Sequence, residues 1–206
     1  MHSKHSPAPA ALQAAAGRTP ELHLTRERWH CLLRELARRG AGTRESGAFL
    51  LAHMSRPQDV VEVAYYDDLD PACLTGGITF AGTGYSQLWA LCRARGLTVV
   101  ADIHTHPGVG VRQSRIDATN PMISQPGHVA IIVPDLGRSP EPDLVGVHVY
   151  AGGHHWTSYL GNCNRSVLKI DGPGRSSVRR AAQSLRRAIT AVRDRLPVHG
   201  AHRSSR

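Results

Sequence analysis

The residues best suited to chemistry lie in one stretch, which runs from His104 through His106 and Ser114 to Asp117. The two histidines are one residue apart at the end of a predicted strand, so they project to the same side, because the side-chain period of a strand is two. Both imidazoles can therefore face one metal ion, and Asp117 can supply a third ligand after a loop. Two histidines, one carboxylate and an open fourth position are typical of a catalytic zinc site.

Each part of this pattern also has a purely structural interpretation. A lone histidine at a strand end is more often a surface or core residue than a ligand. The spacing of Ser114 and Asp117 is typical of a helix N-cap with an acid at the third helical position, and the two residues can do this in addition. The whole pattern, His-x-His-x7-Ser-x2-Asp, is much harder to explain by composition, and it favours the metal site.

The same spacing, with Pro107 after the second histidine, resembles the JAMM motif of the MPN (JAB) domain metallopeptidases. That family also has a glutamate on the strand after the first helix, and Glu45 in Glu-Ser-Gly stands in that place. The resemblance covers residues 21–165 and implies an α/β (α+β) fold. This is an MPN/JAB-like mixed β-sheet flanked by helices, with cytidine-deaminase-like layering. One departure is Arg112, where the deubiquitinating members commonly have Trp, so their substrate contacts are not carried over.

The resemblance implies a role for each site residue. His104, His106 and Asp117 would hold one Zn²⁺, with water as the fourth ligand, and zinc lowers the pKa of such a water to about 7. Glu45 would accept the water proton and later pass it to the leaving amine. Ser114 would donate to the oxyanion of the tetrahedral intermediate. The expected reaction is hydrolysis of an amide bond by a zinc metalloprotease.

The resemblance also implies a class of substrate and of partner. Members of the family act at the C-terminal tail of a ubiquitin-like protein, which they mature or release from a target. Some relatives process sulfur-carrier proteins, and others belong to bacterial antiviral defence operons with activating (E1-like) and conjugating (E2-like) enzymes. A ubiquitin-like tail ending in Gly-Gly could lie along a sheet edge. An alternative of another class is a non-catalytic MPN scaffold that only assembles complexes.

Other polar residues near the motif have a less specific pattern. Asp102, two residues before His104, faces the same side and could orient a ligand histidine, although a capping or salt-bridge role is the commoner one for such a residue. His128 precedes a strand and could pack near the site. His154 and His155 lie in a Gly-rich turn, which indicates solvated side chains. No cysteine has a nucleophile signature.

The periodicity of the chain predicts the elements that position the motif. A helix begins after the N-cap Thr25 and ends at Gly40, and a second covers residues 85–95, while 67–83 is mainly loop. A strand at residues 97–103 leads the chain to His104. The other strands are predicted at residues 47–54, 60–66, 129–133, 144–150 and 156–160.

Length and charge divide the chain into a body and two tails. The 206 residues fit one domain at 21–165, after an Ala- and Pro-rich leader at 1–20 that is predicted to be disordered. From residue 165 onward there are 11 basic and 2 acidic residues, so the whole net charge of +9 lies in this last segment, which consists of Arg165 and a basic tail at 166–206. The body itself is electrically balanced.

The basic tail contains an amphipathic pattern that predicts a helix at residues 177–196. We interpret this helix as a docking element, because the tail lacks the aromatic residues that stack on nucleic-acid bases. Nonspecific binding of nucleic acid is the rival interpretation. No apolar run is long enough to span a bilayer, and the first residues lack the continuous apolar core of a signal peptide. The sequence therefore predicts a cytoplasmic protein.

Overall fold

The structure is a computed structural model and describes residues 19–139 and 141–172. The predicted leader up to residue 18 and the predicted helix at 177–196 lie outside these residues. The described residues form eight strands and four α-helices, and none of these helices has the length and apolarity that crossing a membrane requires. In chain order they are β1 (Leu22–Thr25), α1 (Arg26–Arg39), β2 (Gly47–His53), β3 (Val60–Tyr65), α2 (Tyr66–Leu69), α3 (Gly82–Arg95), β4 (Leu97–Thr105), α4 (Arg115–Thr119), β5 (Val129–Val133), β6 (Gly146–Gly152), β7 (His155–Tyr159) and β8 (Leu168–Asp171).

Helix α1 begins and ends where the sequence predicts. The Thr25 hydroxyl accepts a hydrogen bond from the backbone N–H of Arg28 at 3.2 Å, which satisfies one of the free donors of the first turn. Gly40 caps the other end, and its N–H donates to carbonyls of the last turn. The face between these caps is buried and carries Trp29, Leu32, Leu33 and Leu36. Burial of this apolar stripe against the sheet stabilises the helix more than its intrinsic propensity does.

Six strands form one mixed sheet in the order β3-β2-β4-β5-β6-β7. Strands β4 and β5 are parallel and every other neighbouring pair is antiparallel. The predicted mixed sheet with flanking helices is therefore confirmed. Because β4 and β5 run in the same direction, the chain between them must cross from one end of the sheet to the other. That crossover contains the loop with Ser114 and helix α4, so the sheet order itself places the motif at the carboxyl end of β4.

The two faces of the sheet carry different side chains. On one face, residues such as Leu50, Ile103 and Ile131 pack against α1 in the larger apolar cluster. On the other face, Phe49 and Leu51 pack against Leu88 of α3 in a second cluster. The strand register places Gly47, His104, Ile132 and Gly146 side by side across β2, β4, β5 and β6 on this second face. The polar motif thus belongs to the face that α1 does not cover.

The stretch predicted as loop at residues 67–83 has more structure than its sequence indicates. Tyr66–Leu69 forms one helical turn, and Cys73 and Leu74 are buried. Phe80 packs edge-on against Phe49, with ring centroids 5.5 Å apart. The segment is mainly loop, as predicted, since residues 70–81 lie outside the helices and named strands. The helical turn and the buried side chains were not predicted, because these apolar residues lack any regular period, although together they cover the end of the second cluster.

The folded unit also extends past its predicted end at residue 165. Strand β8 pairs in parallel with β1, with Leu22 opposite Leu168, and the compact unit reaches Asp171. Neither strand was predicted, because each has only four residues and they lie far apart in the sequence. The pairing buries Leu22, Leu24 and Leu168 next to α1.

Glu35 of α1 provides a prediction about acid stability. Its carboxylate accepts hydrogen bonds from Arg38 and Arg39 at 2.6–2.8 Å, and the bond from Arg38 is the main reason why its pKa falls to about 2. A depressed pKa stabilises the folded state above the unfolded-state value of 4.5, and this contribution is lost as the pH falls toward 2. We expect Glu35→Gln to lower the free energy of unfolding at pH 7 by about 1 kcal/mol, since solvent screens the pair. Urea unfolding should show that the difference in stability between Glu35→Gln and the unmodified chain disappears at about pH 2. An equal difference at pH 7 and at about pH 2 would contradict this prediction.

Candidate metal centre

Two imidazoles meet at the carboxyl end of β4. His104 is the penultimate residue of the strand and is 7% exposed, and His106 follows immediately after the strand. Their Nε2 atoms are 3.2 Å apart. The alternation of β4 therefore directs both rings to the same side, as the sequence predicts.

Asp117 reaches these imidazoles because a capping box begins helix α4. The Ser114 hydroxyl accepts from the backbone N–H of Asp117 at 3.2 Å, while the Asp117 carboxylate accepts from the backbone N–H of Ser114 at 2.8 Å. The same carboxylate lies 3.3 Å from Nε2 of His106 and 3.8 Å from Nε2 of His104. One ligand atom from each of the three residues lies within 4.8 Å of the other two. The capping role and the cluster thus occur together.

The histidine His106 is held in the tautomer that a metal ligand needs. Its Nδ1–H donates to the carbonyl of Gly110 at 3.1 Å, so its Nε2 carries a lone pair when the ring is neutral. The loop carbonyl therefore orients the ring toward His104 and Asp117.

The spacing of these donors fits a small divalent cation. Zinc binds imidazole nitrogen at about 2.0–2.1 Å with tetrahedral geometry, and the edge of such a tetrahedron is about 3.3 Å. Two of the three donor pairs, the Nε2 atoms at 3.2 Å and the His106–Asp117 pair at 3.3 Å, match that edge, and the His104–Asp117 pair at 3.8 Å is somewhat longer. Two imidazoles and one carboxylate are also a donor set that zinc accepts, with room for a fourth ligand. The residues present therefore fit the expected ion.

The charges around the histidines also favour a cation. Burial alone would raise the pKa of Asp117, but hydrogen bonding to His104 and His106 holds it well below its usual range. Burial alone would lower the pKa of His104, but the carboxylates of Asp102 and Asp117 raise it to about 9. Without a metal ion, the negative charge of these carboxylates is balanced by protons taken up by the histidines. A bound cation would supply that positive charge in place of the protons.

Glu45 lies beside this cluster rather than within it. It stands two residues before β2, and the neighbouring Ser46 pairs with Thr105, whose N–H donates to the Ser46 carbonyl at 2.9 Å. This pairing carries Glu45 alongside His106, although Glu45 itself precedes the strand on which the sequence placed it. Burial raises the pKa of Glu45, the two histidines lower it, and Asp117 raises it. The half-buried carboxylate is therefore electrostatically coupled to all three predicted ligands.

Asp102 and His128 are brought together on the face that carries His104. Their carboxylate oxygen and Nε2 are 2.6 Å apart, and both residues are buried. The other carboxylate oxygen of Asp102 lies 3.8 Å from Nδ1 of His104. By contrast, His154 in the turn after β6 and His155 at the start of β7 are exposed and take no part in the cluster.

Two residues hold the segment at 107–119, which includes α4 and is called the ligand loop below, and neither was identified from the sequence. His148 of β6 donates from Nε2 to the carbonyl of Val111 at 2.9 Å, while its Nδ1 accepts from the Ser158 hydroxyl at 2.8 Å. Trp156 of β7 donates to the carbonyl of Ala118 in α4 at 3.0 Å. Nothing in the pattern around a single histidine or tryptophan indicates such a contact, because it depends on a hairpin folding over the crossover.

A strained turn after β5 also holds the start of the ligand loop. Asp135, Leu136 and Gly137 follow β5 in consecutive left-handed conformations, with φ values of 53°, 53° and 83°. The N–H of Asp135 donates to the carbonyl of Gly108 at 3.0 Å, and that of Leu136 donates to the carbonyl of His106 at 2.9 Å. Left-handed backbone is unfavourable for residues with a side chain, so these two hydrogen bonds are formed at the expense of local strain.

Comparison with known proteins gives a fold but no family. No protein-family profile matches the chain. The chain is similar in structure to the protein DSY2949 from Desulfitobacterium hafniense, with a TM-score of 0.50 and 19% identity over 73% of this chain and 94% of that one. A protein from Salinibacter ruber aligns with a TM-score of 0.41 and 19% identity over 68% of this chain and 89% of that one. The protein AF2198 from Archaeoglobus fulgidus, a JAB1/MPN domain protein, aligns with a TM-score of 0.39 and 14% identity over 75% of this chain and all of that one. At these identities, the likeness to DSY2949 shows a shared fold and nothing about activity.

Proposed function

We propose that this protein is a zinc-dependent peptidase or isopeptidase that hydrolyses the amide bond after the C-terminal tail of a ubiquitin-like protein. The observation that supports it is the convergence of His104, His106 and Asp117 within 4.8 Å, with Glu45 coupled to them and Ser114 beside them. A scaffold would not need three metal ligands, a proton acceptor and a hydroxyl at one point.

The three ligands would hold Zn²⁺, and a bound zinc ion supplies a Lewis acid that lowers the pKa of water and polarises a carbonyl. The carboxylate of Glu45 would accept a proton from the attacking water and return it to the nitrogen of the leaving amine. Burial raises the pKa of Glu45, and a general base whose pKa is nearer to the working pH is better able to return the proton.

Ser114 would stabilise the negative charge that develops on the carbonyl oxygen. Its oxygen accepts from the N–H of Asp117, and this bond leaves the hydroxyl proton free to donate. The capping box also fixes the serine, so the donor is in position before substrate binds.

The proposed substrate is an extended tail that ends in Gly-Gly, attached to a target or to further residues. This class rests on the resemblance of the motif, and the rim of the site is suited to a protein ligand. Val109 and Ile116 lie in the loop and helix that carry Ser114, and they are 82% and 72% exposed. Protein interaction surfaces are marked by contiguous exposed apolar side chains, and these two residues would be part of such a surface in the proposed complex.

The test uses the full chain loaded with zinc and a ubiquitin-like protein whose Gly-Gly tail is joined by an amide bond to a reporter. We expect cleavage after the last glycine, identified by mass spectrometry, and one zinc per chain by elemental analysis. Replacement of the penultimate glycine of the substrate by valine should abolish cleavage, because the proposed binding mode places the Gly-Gly dipeptide in a groove that would admit no side chain there.

The His106→Ala variant should lose both zinc and cleavage, because two ligands hold zinc much less tightly than three. His155→Ala is the matched control, since this exposed histidine lies outside the cluster. A chain that binds no zinc would indicate the scaffold instead. Equal turnover of the valine substrate would exclude the ubiquitin-like tail.

A further inference from the structure

A buried carboxylate lies between two imidazoles behind the proposed metal centre. Asp102 is 1% exposed and His128 is 6% exposed. One oxygen of Asp102 lies 2.6 Å from Nε2 of His128, and the other faces Nδ1 of His104 at 3.8 Å. A carboxylate removed from water in this way needs partners, because an unpaired buried charge is strongly destabilising.

The strand register explains how the three side chains meet. Asp102 and His104 are two residues apart on β4, so they project from the same face of the sheet. In the parallel partner strand, Ala130 stands opposite Asp102, and His128 is two residues before Ala130. His128 therefore projects from that same face and reaches Asp102 from the start of β5.

We propose that Asp102, held in place by His128, is the positioning residue that orients His104 for metal binding. The inference rests on the metal site of the proposed function. The carboxylate on the Nδ1 side of His104 favours the proton on Nδ1 and leaves the lone pair on Nε2, which is the atom that faces His106 and Asp117. His128 acts through Asp102, because its hydrogen bond fixes the direction of the carboxylate.

The positioning role of Asp102 can be distinguished from that of an ordinary buried ion pair, because the two roles predict different effects when the carboxylate is removed. An ion pair that served only the fold would change the free energy of unfolding and leave the metal affinity of the folded chain intact. A carboxylate that orients a ligand would change the affinity itself. Loss of such a partner typically weakens metal binding by about 10- to 100-fold.

The experiment measures zinc affinity of the full chain by competition with a chromophoric chelator. We expect Asp102→Ala to bind zinc about 10- to 100-fold more weakly than the unmodified chain, and His128→Gln to weaken binding by a smaller factor. The double variant should be no weaker than Asp102→Ala alone, because residues that act as one unit do not contribute additively. The absorption spectrum of the Co²⁺-loaded chain should also change in Asp102→Ala, since it reports the geometry of the ligands.

The control for stability is Leu32→Ala, which removes a buried side chain of α1 on the opposite face of the sheet. It should lower the melting temperature without changing zinc affinity or the Co²⁺ spectrum. Where Asp102→Ala does not fold, Asp102→Asn keeps the volume of the side chain and serves in its place.

Two results would overturn the inference about Asp102 and His128, and a third would refute the metal site on which it rests. Unchanged zinc affinity in a folded Asp102 variant would exclude the positioning role, and additive effects in the double variant would exclude action of His128 through Asp102. An unmodified chain that binds no zinc would instead refute the proposed metal site itself. The failure of the inference can therefore be distinguished from that of the proposed function.

Discussion

Glu45→Gln is expected to lower the rate of hydrolysis by about a hundredfold to ten-thousandfold while zinc still binds. The substitution keeps the size of the side chain and removes its ability to accept a proton. Zinc should remain because Glu45 is not one of the three clustered ligands. The measurements are kcat on the Gly-Gly reporter substrate and the zinc content of the same preparation.

Glu27→Gln is the matched control for this prediction, because Glu27 is an exposed glutamate in the first turn of α1. It should leave kcat unchanged. If Glu45→Gln retained full activity at full zinc occupancy, the assignment of Glu45 as the proton acceptor would be refuted.

Gly146→Ala should disturb both the fold and the ligand loop. A Cβ atom at this position of β6 would lie 2.1 Å from the carbonyl oxygen of Val111 and 2.9 Å from Nε2 of His148. Backbone cannot move aside as a flexible side chain does, so the crossover loop must shift or the strand must distort. We expect the free energy of unfolding to fall by about 3 kcal/mol, at the upper end of overpacking effects, as measured by urea unfolding.

Activity should fall further than this loss of stability explains, because Val111 lies in the loop that joins His106 to Ser114 and Asp117. Gly82→Ala is the control, since no heavy atom lies within 4 Å of a Cβ at the start of α3. A Gly146→Ala chain with normal stability and normal kcat would mean that the close approach of β6 to Val111 does not position the loop.

The local parts of the fold could be predicted from the sequence. The caps of α1, the alternation that sends His104 and His106 to one side, and the capping box of α4 depend on residues within four positions of each other. Such local features can be predicted from the sequence because backbone dihedral angles and the short reach of side-chain hydrogen bonds determine them. The strand β5 was predicted at its observed bounds, since five consecutive apolar residues are bounded by turn residues.

The contacts that support the site could not be predicted in the same way. The pairing of Asp102 with His128 depends on the register of two parallel strands, and no local pattern specifies the register across a long crossover. The same is true of His148 and Trp156, whose hydrogen bonds to the ligand loop require the β6–β7 hairpin to be in place. The sequence indicates which residues could bind a metal, whereas the topology determines what holds them.

The left-handed turn at Asp135 and Leu136 has a consequence for how this chain can change. A glycine in place of Asp135 would relieve an unfavourable backbone conformation, so the folded protein would tolerate it or become more stable. At Leu136 the same relief would be outweighed, because that side chain is buried and its removal would leave a cavity. The change at Asp135 would also make the backbone of this segment more flexible. The two N–H groups that donate to the carbonyls of His106 and Gly108 would then be held less firmly. A change that stabilises this turn would therefore hold the proposed metal centre less rigidly, so selection for thermal stability alone would favour residues that weaken the support of the centre.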